Sequence, residues 1–124
     1  QPAGLVFGGY TGSSFSGATE SWNGSSFTEV SDLNTARAQV SGAGTIQTSA
    51  LAYGGNTPPV TNKTEVWNGS SWSELNDLST SASAAGGNGS SSSALQAGGY
   101  NGSTYITTTE EWTADLANKT ITTS

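Results

Sequence analysis

Residues 18–30 read ATESWNGSSFTEV, and residues 64–75 return to the same pattern as TEVWNGSSWSEL. In each copy an Asn-Gly-Ser-Ser run separates two short segments that contain aromatic or aliphatic residues. Asn-Gly between two such segments is the strongest short-range signal for a two-stranded hairpin. The stretch therefore predicts strands at 18–22, 27–30, 64–67 and 72–75.

Further landmarks recur with a period of about 45 residues. Trp22, Trp67 and Trp112 are evenly spaced, and each follows a glutamate by two positions. Three Gly-Gly pairs each end a short apolar run, and they are Gly8-Gly9, Gly54-Gly55 and Gly98-Gly99. Self-similarity at a fixed period is the signature of a repeat architecture. The chain therefore contains nearly three copies of one unit.

The remaining segments of the unit also predict strands. Residues 40–45 form a weak strand, in which glycine allows close backbone approach near a crowded axis. Residues 50–53 form the next strand, which Gly54-Gly55 ends. No stretch has the three-and-four spacing of an amphipathic helix. The sequence predicts an all-β chain.

Composition narrows the classes of function. The 124 residues include 17 Gly and no Cys, Met or His, and the formal charge is −6. With only 3 Lys and Arg residues, the chain lacks the clustered cations that bind nucleic acid phosphates. No apolar run approaches the ~20 residues that span a membrane. We expect neither a nucleic acid partner nor insertion into a membrane.

The repeated residues resemble those of a kelch repeat. That family has a strand ending in Gly-Gly, an aromatic residue 12 or 13 positions later, and a second aromatic residue beyond it. Trp22 with Phe27, and Trp67 with Trp72, fill the two aromatic positions. Their spacing is five residues, whereas six is more usual in the family. In the third unit Trp112 remains, and Leu116 stands near the second position.

A finer resemblance concerns residues 18–37, which read ATESWNGSSFTEVSDLNTAR. They are similar to kelch-like repeats in structural or tail-associated proteins of marine bacteriophages. The resemblance extends over essentially the whole chain. It implies a kelch-like β-propeller and a location outside cells or on a virion. An intracellular kelch scaffold remains an open alternative.

The resemblance also divides the chain into about three four-stranded blades. The first is a partial blade at residues 1–33, and the others span 34–78 and 79–124. A propeller needs about four to eight blades to close its ring, so these blades form a partial ring. Other copies of the chain could complete it, or further blades of a longer parent chain. The missing first strand and the missing initiator Met favour the longer parent.

Catalytic side chains are scarce. The usual general base near neutral pH is His, which the sequence lacks. A serine triad needs that histidine or a well-placed lysine, and no cysteine nucleophile exists. Glu110 and Glu111 are adjacent on a strand, so they point to opposite faces and cannot act as a glycosidase pair. We expect a non-enzymatic protein without cofactor or metal.

Glu20, Glu65 and Glu110 recur two residues before each repeated tryptophan. They could form an acidic ring around a cation, but the interpretation we favour is that each accepts hydrogen bonds from backbone or a neighbouring blade. Arg37 is the single arginine, and Ala82 takes its place in the next unit. It could anchor an anionic ligand, but we favour an ion pair between blades with one of these glutamates.

The loops after each Gly-Gly pair differ between repeats while the strands stay alike. This pattern is typical of a fixed scaffold that carries variable binding loops. Alternate loops of a blade emerge on one face, so the three loops should lie together. Tyrosine and asparagine adapt to polar partners at low entropic cost, and exposed rings stack on sugars. The candidate ligand-binding residues are Tyr10, Phe15, Asn56, Tyr100, Asn101 and Tyr105.

These observations predict a structural and binding module, displayed on a phage virion or tail fibre, whose loops contact host-surface glycan or protein. One alternative is a purely architectural propeller subunit that assembles with other proteins. A second alternative is a non-catalytic segment of a secreted propeller enzyme. The opposing interpretation of the loops is that they merely cover the rim of the propeller.

Overall fold

The computed structural model describes residues 4–46, 48–90 and 92–113, and this part of the chain consists of ten strands and no helix. No helix there is long and apolar enough to cross a membrane. The strands are β1 (Gly4–Tyr10), β2 (Phe15–Trp22), β3 (Phe27–Val30), β4 (Ser41–Ile46), β5 (Ser49–Tyr53), β6 (Thr64–Trp67), β7 (Trp72–Leu75), β8 (Gly86–Gly89), β9 (Ser93–Ala97) and β10 (Thr109–Thr113). The predicted all-β class is confirmed.

The strands form three antiparallel sheets in chain order. The first sheet is β1-β2-β3, the second is β4-β5-β6-β7, and the third is β8-β9-β10. Register repeats between sheets, since Trp22 pairs with Phe27 and Trp67 pairs with Trp72 across their Asn-Gly turns. The predicted hairpins are therefore confirmed. Strand β2 begins at Phe15, earlier than predicted, because its first residues pair with the end of β1.

Strand number differs between the sheets. Within the described residues only the second sheet has four strands, and the sheets follow one another without closing a ring. Among the residues that the structure describes, the first sheet has no counterpart of β4, the glycine-rich strand that borders β5. The strand expected near Leu116 lies outside the described residues. Division of the chain into blades stays a prediction.

The first glycine of each Gly-Gly pair has a left-handed backbone, and it directly follows the end of β5 and β9 but lies within β1. Gly8 has a φ of 75° and interrupts the register between β1 and β2. An added Cβ at Gly54, where φ is 68°, would lie 2.6 Å from the carbonyl oxygen of Ala82. Only glycine accepts that conformation and that approach at low cost. The pairs thus turn the chain sharply where the segment between two sheets passes close by.

Each sheet has two faces that differ in their packing. We call the face that bears Trp22, Trp67 or Trp112 the leading face, and the opposite one the trailing face. The leading faces of the second and third sheets pack on the trailing face of the sheet before them. Two apolar layers result, one between each pair of successive sheets.

Tryptophan side chains fix both layers by packing and by hydrogen bonding. In the first layer the ring of Phe7 meets Trp72 edge-on, with centroids 5.1 Å apart. Trp72 Nε1 also donates to Thr19 Oγ1 at 3.1 Å. In the second layer Trp112 Nε1 donates to the carbonyl of Asn76 at 2.9 Å. Buried indole groups need such an acceptor, so each tryptophan joins its own sheet to the preceding one.

Candidate functional site

The topology brings the loops that follow the Gly-Gly pairs to one end of the molecule. These loops are residues 10–15, 56–61 and 100–105, and we call the surface they form the loop face. The segments that connect successive sheets run between them. Gly9 N donates to the carbonyl of Arg37 at 2.8 Å, and Ala38 exchanges backbone hydrogen bonds with Asn56. Ser83 and Tyr100 form the equivalent pair one sheet later. The loop face is therefore one continuous hydrogen-bonded layer.

The first loop closes on a pair of aromatic rings. Tyr10 and Phe15 are cross-strand partners, and their ring centroids are 5.0 Å apart with an interplanar angle of 55°. A tight turn supports them, in which Thr11 N donates to the carbonyl of Ser14 at 2.9 Å. Tyr10 is 58% exposed. The rings thus present a supported apolar surface to solvent.

The third loop repeats this arrangement with two tyrosines. Tyr100 and Tyr105 form an isolated bridge, and their centroids are 5.2 Å apart, also at 55°. Tyr105 is 86% exposed. Asn101 Oδ1 accepts backbone N–H groups from Ser103 and Thr104, each at 2.9 Å. The asparagine oxygen therefore shapes the turn, and its amide NH2 group is the part that a ligand could engage.

The second loop lies between the other two and has no ring pair. Asn56 pairs with Val60 at its base, and the turn contains a cis peptide bond between Pro58 and Pro59. Asn56 is half-buried, since its backbone also pairs with Ala38. A Cβ added to Gly102 of the third loop would be 3.8 Å from Val60. The second and third loops therefore lie close to each other.

The chemistry of the loop face is polar and uncharged. The three loops contain tyrosine, asparagine, serine, threonine and proline but no acidic or basic residue. The structure brings Tyr10 together with Phe15 and Tyr100 together with Tyr105, and it places Asn56 on the loop between the two pairs. Such a surface offers ring faces and hydrogen-bonding groups rather than a charge partner.

Arg37 is buried between the first and second sheets. Its backbone carbonyl accepts from Gly9 of the first sheet. Its guanidinium donates to the carbonyls of Gly54 at 2.9 Å and Lys63 at 2.7 Å, and lies 3.3 Å from Glu65 Oε2. Burial lowers the pKa of Arg37, and the Glu65 carboxylate opposes that change. Arg37 thus joins the two sheets through its backbone and its side chain. The guanidinium is buried, so an anionic ligand cannot reach it.

The repeated glutamates hold the segments that connect the sheets. Glu65 accepts the backbone N–H groups of Asn34 at 2.7 Å and Thr35 at 3.1 Å. Glu110 accepts those of Ser79 and Thr80 in the same way. The counterpart Glu20 is exposed. Among the described residues no group of three or more acidic side chains is close enough to hold a metal ion.

One buried polar residue escaped the sequence reasoning. Gln96 lies in a short apolar run, and its Nε2 donates to the carbonyl of Thr80 at 3.3 Å. It occupies the register position that Ala52 has beside Arg37 in the second sheet. The first junction therefore combines Arg37 with Ala52, and the second combines Ala82 with Gln96. The sequence did contain a signal for this burial, because Ala82 stands where the preceding unit has Arg37. Another side chain has to fill the space that the arginine occupies at the first junction.

Two further positions have an unusual backbone that the sequence did not indicate. Gln39 and Ala84 are equivalent residues just before β4 and β8, and their φ angles are 56° and 57°. A left-handed conformation is uncommon for residues other than glycine. Ala84 N donates to the carbonyl of Gln39 at 3.0 Å, which links the two connecting segments.

Comparison with known proteins was informative for the fold alone. No protein-family model and no curated protein matches the chain. Solved structures do match, 88 chains in total. One is the structure of YjhT, which aligns with 87% of this chain at 12% identity and a TM-score of 0.72. The alignment covers 39% of YjhT, so the chain spans well under half the length of that protein. The chain therefore has the fold of a part of YjhT.

Proposed function

We propose that the chain is a non-enzymatic binding module built as a kelch-like propeller segment, whose loop face binds uncharged polar ligands on a host surface. The observation that carries the proposal is the pair of supported aromatic clusters, Tyr10 with Phe15 and Tyr100 with Tyr105, on one uncharged face. A binding face needs rigid anchors more than mobile side chains, because ordering flexible groups costs affinity. A hydrogen-bonded turn joins the two aromatic residues of each cluster.

Carbohydrate is the ligand class that this chemistry favours over protein. Sugar rings present apolar C–H faces that stack on aromatic side chains, and their hydroxyl groups pair with amides and hydroxyls. The loops supply both kinds of group without charge. Tyrosine is also common at protein interfaces, but the tryptophan and arginine that accompany it there are missing from the three loops.

The propeller interpretation is supported by three features. The register of the second sheet repeats that of the first, the glutamate-to-backbone contacts recur at both junctions, and the fold resembles part of YjhT. The proposal of a phage virion or tail fibre, and hence of an extracellular location, has a different support. It depends on the resemblance of residues 18–37 to marine phage repeats.

Binding to an array of neutral and acidic oligosaccharides tests the proposed function. We expect neutral oligosaccharides to bind, and Tyr10→Ala or Tyr105→Ala to weaken binding about 10-fold or more, as expected for loss of a stacked ring. Ser25→Ala, in the turn at the opposite end of the first sheet, is the matched control and should bind normally. Unchanged binding in both tyrosine variants would contradict the proposal.

A purely architectural role is the second candidate. The observation that favours it is the exposure of large apolar side chains on a sheet face, namely Val6 and Phe27. Under that role, a charged substitution of Val6 or Phe27 would alter assembly with other subunits, and the tyrosine variants of the loop face would not. The two sets of variants thus separate the two candidates.

A further inference from the structure

We propose that the loop face binds one extended, neutral glycan chain, which stacks on both aromatic clusters at once. The inference rests on the function proposed above, and it specifies the ligand as a linear oligosaccharide several sugar units long. The clusters are Tyr10 with Phe15 in the first loop and Tyr100 with Tyr105 in the third.

The two clusters are built alike. The ring centroids are 5.0 Å apart in the first cluster and 5.2 Å apart in the third loop, and both pairs of rings are tilted by 55°. In each pair a half-buried ring, Phe15 or Tyr100, supports a more exposed ring, Tyr10 or Tyr105. The loop face therefore has two similar positions on which a sugar ring can stack.

The second loop, which lies between the clusters, is shorter and has no ring. Only three residues separate Asn56 from its bridge partner Val60, whereas four separate the partners in each of the other two loops. Thr57 N and Thr57 Oγ1 both donate to the carbonyl of Pro59, at 2.9 Å and 2.7 Å, so the turn closes on itself. The second loop therefore has neither a ring nor a charge that would obstruct a neutral ligand lying from one cluster to the other.

Backbone hydrogen bonds determine the span between the clusters. Neighbouring strands in a hydrogen-bonded layer lie about 4.8 Å apart. Five such steps cross the loop face, and they join Gly9 with Arg37, Ala38 with Asn56, Gly55 with Ala82, Ser83 with Tyr100, and Tyr100 with Tyr105. The exposed rings at the two ends are therefore on the order of 25 Å apart. An extended hexasaccharide covers this span, and a disaccharide does not.

Two stacking contacts on one ligand bind more tightly than two contacts on separate ligands. A single stacked ring gives weak binding by itself. Once a long chain occupies one cluster, its contact with the other cluster becomes intramolecular and benefits from a high effective concentration. Avidity of this kind exceeds the affinity of either contact by about 100-fold or more. The arrangement therefore favours long chains over short ones.

NMR titration of the purified chain with matched oligosaccharides tests this proposal. The ligands are the disaccharide and the hexasaccharide of β-linked glucose, of β-linked mannose and of β-linked galactose. The measured quantity is the half-saturating ligand concentration, taken separately from the amide signals of residues 10–15 and of residues 100–105. For the hexasaccharide that binds, both loops should saturate at one common concentration, at least about 100-fold below that of the matching disaccharide. The disaccharide should saturate the two loops independently.

A substitution in one cluster separates a bridging ligand from two independent ligands. In Tyr105→Ala, residues 10–15 should need at least about 10-fold more hexasaccharide for half-saturation and an unchanged amount of disaccharide. Tyr10→Ala should have the reciprocal effect on residues 100–105. Ser25→Ala, at the opposite end of the first sheet, is the control and should leave all values unchanged. Because Tyr105 is 86% exposed, the fold should persist in Tyr105→Ala, which unchanged amide signals of residues 68–71 would show.

The outcomes distinguish this inference from the proposed function. Equal half-saturating concentrations for the two ligand lengths, or an effect of Tyr105→Ala confined to its own loop, would overturn the bridging and leave binding by the loop face intact. A half-saturating concentration that falls as the chain concentration rises would also overturn it, because the hexasaccharide would then join two protein molecules. Absence of shifts with all six ligands would contradict the proposed function itself.

Discussion

Replacing Glu65 by glutamine removes one charge from a buried pair and leaves its partner in place. Arg37 Nη2 lies 3.3 Å from Glu65 Oε2, and both side chains are buried. The same carboxylate accepts the backbone N–H groups of Asn34 and Thr35. In Glu65→Gln, the amide Nε2 takes the place of one carboxylate oxygen. An N–H group of the glutamine then faces an N–H group that the carboxylate oxygen used to accept.

This variant loses both the charge partner of Arg37 and one hydrogen bond. Leaving a buried charge without its partner costs about 3–5 kcal/mol. Loss of one hydrogen bond to a charged group falls within that figure, at about 1.5–3 kcal/mol. Glu110→Gln is the matched control, because Glu110 also accepts two backbone N–H groups but its junction has Ala82 in place of the arginine. We expect the control to lose only about 1–2 kcal/mol.

Urea unfolding followed by tryptophan fluorescence measures both changes. With a slope of about 2 kcal/mol per molar urea, Glu65→Gln should lower the midpoint by roughly 2 M and Glu110→Gln by about half a molar to one molar. All variants are compared at one chain concentration, because association contributes to apparent stability. Equal shifts of the two variants would refute the argument that the buried charge pair dominates the first junction.

Three further predictions concern the same junctions and use the same unfolding measurement. Arg37→Ala should destabilise the fold by about 3 kcal/mol or more, because it leaves a buried carboxylate unpaired. Adding Ala52→Gln should recover part of the loss, because the double variant copies the residues of the second junction. No recovery would contradict the equivalence of the two junctions. Gly54→Ala should cost at least about 1–2 kcal/mol, since an alanine there would be strained in a left-handed backbone; a neutral effect would contradict the described turn. Trp72→Phe should cost about 1–3 kcal/mol, because it leaves Thr19 without its donor and removes buried ring area; an unchanged midpoint would argue against this contact.

Local sequence was sufficient to predict the hairpins. Asn-Gly fixes where the chain reverses, and the bounds predicted for β3, β6 and β7 are those of the structure. The start of β2 could not be predicted in this way. Residues 15–17 read FSG and show no alternation, and they join the strand only because the end of β1 lies beside them.

The choice of partner for Arg37 was beyond local sequence. All three glutamates precede a tryptophan by two residues, so nothing local distinguishes Glu65 from Glu20 or Glu110. The order of the sheets decides, because the segment that contains Arg37 leaves the first sheet and docks on the second. Burial of Gln96 has the same origin, since it depends on a neighbour 14 residues away in sequence, Ala82.

The binding role of the loop face is the central claim, and NMR chemical shifts during titration with a neutral tetrasaccharide test it most directly. We expect the backbone amide signals of residues 10–15 and 100–105 to shift in a saturable way. Signals from the turns at 23–26 and 68–71, at the opposite end of the sheets, should stay in place. Saturable shifts confined to those turns or to the sheet faces, with the loop signals unchanged, would contradict the account.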